Sequence, residues 1–132
     1  MSASAFIDTN VFLYLVSGIE WKAERTQDLI RTGPAISVQV LNEFAAVARR
    51  KFRLEWPEVR RAMSPIRHGC RLFPLTAETH ELGLEIAEQC GLRVYDACIV
   101  AAANLAGCDV LMSEDLNAGQ KIGRVVIRNP FA

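Results

Sequence analysis

The four cysteines, Cys70, Cys90, Cys98 and Cys108, form no C-x-x-C pair, and neither they nor the two histidines show paired metal-ligand spacing. That absence argues against a zinc site and leaves the cysteines as small buried hydrophobes of a reducing, cytoplasmic environment. Charge of one sign is also lacking. Fifteen basic and fifteen acidic side chains cancel, so a nucleic-acid partner has to be met by a local patch. No apolar run approaches the length that spans a bilayer, and no basic-then-apolar leader precedes Phe6, so no membrane partner is expected. Internal repeats, low-complexity tracts and linkers are missing as well. What is present is a chain of 132 residues, 51% of them hydrophobic. That suffices for one domain with a proper core and is too short for two ordinary ones.

The stretch Phe6-Ile7-Asp8-Thr9-Asn10 reads as an apolar strand ending on a carboxylate, followed at once by the apolar helical run Val11-Phe12-Leu13-Tyr14-Leu15-Val16. Ser17-Gly18 breaks that run. Residues 20–31 form a polar amphipathic helix closed by Gly33, and Pro34 prevents its continuation. Ala35-Ile36 is a short strand, and Ser37 is a good N-cap for a helix over residues 38–52 with Leu41, Phe44, Ala45 and Ala48 on one face. Trp56-Pro57 starts the next helix with Pro57 in its first turn, and Pro65 predicts a kink or an early end near Ser64. Arg71-Leu72-Phe73 is a third strand. Thr76 caps a helix carrying Leu82, Ile86 and Cys90 inward, with Gly91 closing it. Asp96 opens a helix rich in small residues that Gly107 ends. Residues 109–113 form the fourth strand, residues 114–116 the loop leaving it, and residues 124–128 the last strand. Short strands alternating with helices predict a three-layer α/β/α domain with a short, mostly parallel five-stranded sheet. Right-handed crossovers bring the strand C-termini to one rim.

At that rim, where open α/β sheets bind ligands, four carboxylates can converge: Asp8, Glu43, Asp96 and Asp115. For Asp8 alone, helix capping is the competing reading. Asp109 begins a strand and belongs to the opposite rim, and Glu114 is less well placed than its neighbour Asp115. Like charges about 4 Å apart repel by roughly 4 kcal/mol per pair at an effective dielectric of about 20. A helix N-terminus returns only about 0.3–1 kcal/mol. A divalent cation is therefore the natural counter-charge, and an all-oxygen donor set favours Mg²⁺ or Mn²⁺. Such an ion acidifies a bound water and neutralises charge building on a phosphorane and its leaving oxygen, which suits phosphodiester hydrolysis without a side-chain nucleophile. Asp8 and Asp96 are the expected primary ligands. Glu43 would be a ligand or orient the attacking water, and Asp115 would complete a second metal position or hold a metal-bound water. Thr9 and Ser113 are expected to hydrogen-bond these carboxylates from behind. Asn10 can do the same or simply form the turn.

The segments Ile-Asp8-Thr-Asn-Val-Phe, Asn-Glu43-Phe, Tyr-Asp96-Ala-Cys-Ile and Leu-Met-Ser-Glu-Asp115-Leu resemble the PIN-domain ribonucleases, and within them the VapC-type toxins of bacterial type II toxin–antitoxin pairs. The resemblance extends over nearly the whole chain, to the closing Val-Val-Ile-Arg-Asn-Pro-Phe. It is specific as a set and weak in any single member. It implies a five-stranded parallel sheet, Mg²⁺- or Mn²⁺-dependent endoribonuclease activity, a homodimer, and inhibition by a cognate VapB-type antitoxin. The acidic quartet carries over to Asp8, Glu43, Asp96 and Asp115. Tyr95 supplies the aromatic before the third acid, whereas the Trp often found before that acid is absent.

Arg49, Arg50, Lys51 and Arg53, with Arg60, Arg61 and Arg67 in the next helix, read either as a solvated face or as steering for RNA phosphates. Phe12, Tyr14, Leu15, Val16 and Trp56 read as core or, alternatively, as a groove for an antitoxin helix or a dimer contact. His68 and His80 read as surface residues. Two phosphate-handling alternatives fail on the residues. A haloacid-dehalogenase-like phosphatase wants a second Asp where Asn10 stands, and a receiver-like phosphoacceptor wants an Asp after the third strand, where Pro74 stands. A non-catalytic interaction domain on the same scaffold is the remaining rival.

Overall fold

In the computed structural model, which describes residues 4–132, the chain threads six short strands and six α-helices. The expectation about a leader falls partly on residues 1–3, outside the described residues. β1 (Ala5–Ile7) leads into α1 (Thr9–Phe12), which tightens into a 3-10 turn over Leu13–Val16. α2 (Glu20–Arg31), β2 (Ala35–Ser37), α3 (Val38–Arg50), α4 (Trp56–Gly69) and β3 (Arg71–Phe73) follow. The second half adds α5 (Ala77–Cys90), α6 (Val94–Leu105), β4 (Val110–Met112), β5 (Lys121–Ile122) and β6 (Val125–Arg128).

The sheet order is β3-β2-β1-β4-β6-β5, parallel throughout except for the antiparallel β5 edge. The sequence reading gave five strands; β5 is the sixth. Its two residues are too few to show a period, and the turn at Gly123 (φ +62°) folds it back on β6. The chain leaves β1 toward β2 and β3, then returns across the sheet to β4. Right-handed crossovers therefore place α1 to α4 on one face and α5 and α6 on the other. α6 touches β2, β4 and β6, and α5 packs on α6.

The core explains these choices. Phe6, Ile7, Ile36, Leu111 and Ile127 are fully buried on the strands, as are Val40, Phe44 and Ala48 on α3. The run from Ala97 to Ala103 on α6 is buried throughout, because small side chains let that helix lie close on the sheet. Gly83 of α5 meets it just as closely: a Cβ there would lie 2.6 Å from Cys98 Sγ.

Three local expectations need correction. α4 continues without a break through Pro65 to Gly69; the missing N–H costs one helical bond, while Ile66 immediately beyond it is fully buried and holds the last turn on the core. A capping box between Glu55 and Glu58 starts that helix. Cys90 is exposed rather than inward, since it falls on the last turn of α5 beyond the edge of the core; Cys98 and Cys108 are buried and Cys70 half-buried, all with free thiols. Ser37 takes the N-cap position of α3, yet its hydroxyl makes no cap bond and is buried without a partner.

Candidate active site

Asp8 sits where the sheet's winding reverses, between the C-terminal ends of β1 and β4, and its backbone N–H donates to Met112 O at 2.9 Å. Only 5% of it is exposed. Both of its carboxylate oxygens nevertheless accept hydrogen bonds. Oδ1 accepts from the Thr9 backbone N–H at 2.7 Å, and Oδ2 accepts from Asn10 Nδ2 at 2.9 Å and from the Ser113 hydroxyl at 3.0 Å. Asp8 thus caps α1 and belongs to the rim at once. Thr9 makes its contact through the main chain, because the first turn of α1 aims its N–H at the cap. Its hydroxyl, expected to serve the carboxylate, is buried and without a partner.

Burial pushes the Asp8 pKa up to about 6, against the pull of the Ser113 and Thr9 hydrogen bonds, and the charges of Glu43 and Asp96 push the same way. Asp8 is thus near enough to Glu43 and Asp96 for their charges to act on it, while burial is the larger cause. Glu43 hangs from the second turn of α3 and is half-buried; Gln39, one turn earlier, donates to its Oε1 at 2.6 Å and to the Tyr95 carbonyl at 3.0 Å. Gln39 thereby fixes α3 to the start of α6. Asp96 lies in the first turn of α6, two residues after its start, and Arg93 donates to its Oδ2 at 3.0 Å. Glu43 and Asp96 line a cleft of about 620 Å³ together with Arg50, Arg93 and Tyr95.

Asp115 is exposed and lines a neighbouring cleft of about 440 Å³ that it shares with Asn10, Tyr14 and Lys51. The loop carrying it is anchored by its neighbour. Glu114 pairs with Lys22 Nζ at 2.7 Å and accepts from the Tyr14 hydroxyl, and its own N–H donates to Asn10 Oδ1 at 3.0 Å. Asn10 in turn touches both Asp8 and Ser113, so one hydrogen-bonded chain runs from α2 to the buried carboxylate. Lys22 also lies over the Tyr14 ring, 4.3 Å from its centroid, and Phe131 packs edge-on against that ring.

The sequence reading did not single out Gln39, Arg93, Lys22 or the use of Glu114. The i,i+4 spacing of Gln39 to Glu43 and the i,i+3 spacing of Arg93 to Asp96 were visible signals. The Lys22–Glu114 contact joins residues 92 apart in sequence and left none. The basic run disperses: Arg49 donates to Leu54 O and stacks on Trp56, Arg50 lines the acidic cleft, Lys51 lines the neighbouring one, and Arg53 (φ +54°) sits in the following loop. Arg60 and Arg67 line a separate recess on α4, and exposed His68 bonds to the Ser64 carbonyl. Of the apolar residues considered as a groove, Phe12 is core, whereas Tyr14, Leu15 and Val16 are half-buried and Trp56 is exposed.

The donor set of this rim is all oxygen. Among the described residues no group of three or more His, Cys, Asp or Glu side chains is placed so as to hold a metal ion together. By chemistry alone, an all-oxygen donor set suits a hard cation such as Mg²⁺ better than zinc. The Thr9 hydroxyl, next to Asp8, is a further oxygen that is buried and without a partner.

A wound parallel sheet with a buried acid at its switch point and further acids on the flanking helices defines the class. The sequence matches the PIN domain family over residues 5–121, and the chain belongs to that family. No curated protein sequence matches it. Its fold is similar to that of a toxin–antitoxin complex from Klebsiella pneumoniae (23% identity, 96% of this chain and 98% of the other, TM-score 0.69). DNA-bound VapBC from Salmonella typhimurium is also similar (16% identity, 98% and 99% covered, TM-score 0.74). So is Mycobacterium tuberculosis VapC20, a toxin that cleaves the sarcin-ricin loop (21% identity, 85% and 92% covered, TM-score 0.67). Among the described residues no helix is long and apolar enough to cross a membrane.

Proposed function

We propose that this PIN-domain chain is a Mg²⁺- or Mn²⁺-dependent endoribonuclease and the toxin of a toxin–antitoxin pair, acting in the cytoplasm on RNA and held inactive by a cognate VapB-type antitoxin. The observation that carries the reading is the Asp8 carboxylate buried at the sheet's switch point between β1 and β4, with Glu43 and Asp96 near enough for their charges to reach it. Without a cation this arrangement is costly; with one it is favourable. Membership of the PIN family and the likeness to toxin–antitoxin complexes support the toxin assignment, and the VapC20 likeness supports RNA as the substrate. A homodimer is part of the same reading.

In this mechanism Asp8 and Asp96 would hold the ion, and Asp115 would extend the site from the cleft that it lines. The bound ion supplies electrostatic stabilisation of the phosphodiester's developing negative charge and acidifies the attacking water. Ser113, Asn10 and the Thr9 amide keep Asp8 in one orientation, so its carboxylate would be preorganised for a cation. Glu43, steadied on one oxygen by Gln39, orients the attacking water and accepts its proton. The test is cleavage of a single-stranded RNA in Mn²⁺ or Mg²⁺, with EDTA and Asp8→Asn as controls. Cleavage confined to the metal-loaded native chain supports the reading, and cleavage persisting in both controls refutes the carboxylate–metal mechanism. If no RNA is cut and no metal-induced stabilisation is seen, the chain is a non-catalytic PIN-fold interaction domain.

A further inference from the structure

The cleft of about 620 Å³ beside the acids holds two features that a metal site does not need. The first is Tyr95, whose surface is 73% exposed although its carbonyl is fixed by buried Gln39. Its backbone is held firmly while its ring is offered to solvent, so it contributes little to the core. The second is a pair of guanidiniums, Arg50 at the end of α3 and Arg93 just before α6, on the walls of a cleft that Glu43 and Asp96 make acidic. Arg93 rests on Asp96 in a single pair with 84% of its side chain exposed. Such a pair is weak and readily exchanged for another anion. Ala46 and Val47 line the same cleft, and its volume lies within the range of small-ligand sites.

We infer that this cleft is a subsite for one unpaired nucleotide of the RNA, its base stacked on the Tyr95 ring and its phosphate held between Arg50 and Arg93. The inference rests on the ribonuclease reading and adds what that reading lacks, a device selecting unpaired over duplex RNA. A base inside a helix has both faces covered by its neighbours, so only an unstacked nucleotide can use Tyr95. The two guanidiniums also offset the repulsion that the acids exert on an incoming backbone.

The test is fluorescence anisotropy of a labelled single-stranded RNA oligonucleotide and its duplex, in EDTA at low salt, with native, Tyr95→Ala, Tyr95→Phe and Arg50→Ala chains of matched thermal stability. The expected result is a loss of single-strand affinity of about 5- to 150-fold for Tyr95→Ala and none for Tyr95→Phe. For Arg50→Ala the salt slope should be shallower by about 0.7. Duplex binding should not respond to Tyr95. The subsite is overturned if the native chain binds no single-stranded RNA, if Tyr95→Ala binds as the native chain does, or if Tyr95→Phe is as poor as Tyr95→Ala. Parallel cleavage in Mn²⁺ separates the two claims. Intact cleavage with no Tyr95 effect on binding removes the subsite alone. Tyr95-dependent binding with no cleavage in Mn²⁺ or Mg²⁺ removes the nuclease reading alone.

Discussion

Replacing Asp8 by Asn should make the metal-free protein more stable at neutral pH and less stable in acid. Unfolded, the Asp8 carboxyl ionises near 3.8; folded, it does so at about 6. A difference of about two units at 1.36 kcal/mol each means that keeping this group charged costs the fold roughly 3 kcal/mol above pH 6. The sign follows from proton binding. Between pH 4 and 6 the folded chain holds the proton and the unfolded chain does not, so this group's contribution to stability falls as pH rises through that window. Asn removes the charge but serves the pocket less well. It still accepts from the Thr9 N–H, while its amide faces Asn10 Nδ2, so one or two hydrogen bonds are lost at about 1 kcal/mol each. The net is a gain of about 1 kcal/mol at pH 7.5, or roughly 3 °C in Tm, and a loss of similar size at pH 4. Thermal melts in EDTA at both pH values measure it. Manganese at 100 times its Kd should then raise the native chain by about 2.7 kcal/mol and leave Asp8→Asn unchanged, reversing their order. A variant less stable than the native chain at both pH values in EDTA would show that burying the Asp8 charge does not cost the fold as described.

Gly83→Ala should destabilise although Ala favours helix by about 1 kcal/mol, because its Cβ would meet Cys98 Sγ at 2.6 Å and overpacking costs about 1–3 kcal/mol; adding Cys98→Ala should recover most of the loss in a urea titration. Gln39→Ala should cost about 1 kcal/mol by removing its hydrogen bonds to Glu43 and to the Tyr95 carbonyl, and should lower cleavage further than the drop in folded fraction accounts for, since Glu43 loses its support. Lys22→Met should raise the Mn²⁺ concentration for half-maximal cleavage several-fold with little change in rate at saturation, because the loop presenting Ser113 and Asp115 loses its anchor; Lys22→Arg should restore part of it, and an unchanged metal titration would remove Lys22 from this role.

Much of this was legible in residue order because the signals are local. An apolar triplet ending on Asp8, Gly91 in the left-handed conformation after α5, and Thr76 accepting from the Thr79 N–H are all set within a few residues of themselves. The rim followed from the alternation of strands and helices, since parallel winding leaves no other place for the strand C-termini. Where the reading failed, a distant contact decided. Pro65 does not end α4 because Ile66 beyond it is buried against the core. β5 exists only by pairing with β6, and Glu114 acquires its function from Lys22 and Tyr14, far away in sequence. Arg93 and Gln39 are intermediate cases, helical neighbours of the acids whose importance lies in what they hold in place.

The central claim, that Asp8 and its neighbouring acids use a divalent ion to cut RNA, is tested most directly by mapping product ends. Total RNA would be incubated with the native chain in Mn²⁺, in EDTA, and with Asp8→Asn in Mn²⁺, and the new ends sequenced. Discrete cuts within unpaired loops, present in the first reaction and absent from the other two, are the predicted result. Ends that persist without metal or without the Asp8 carboxylate, or that spread evenly along duplex regions, would contradict it.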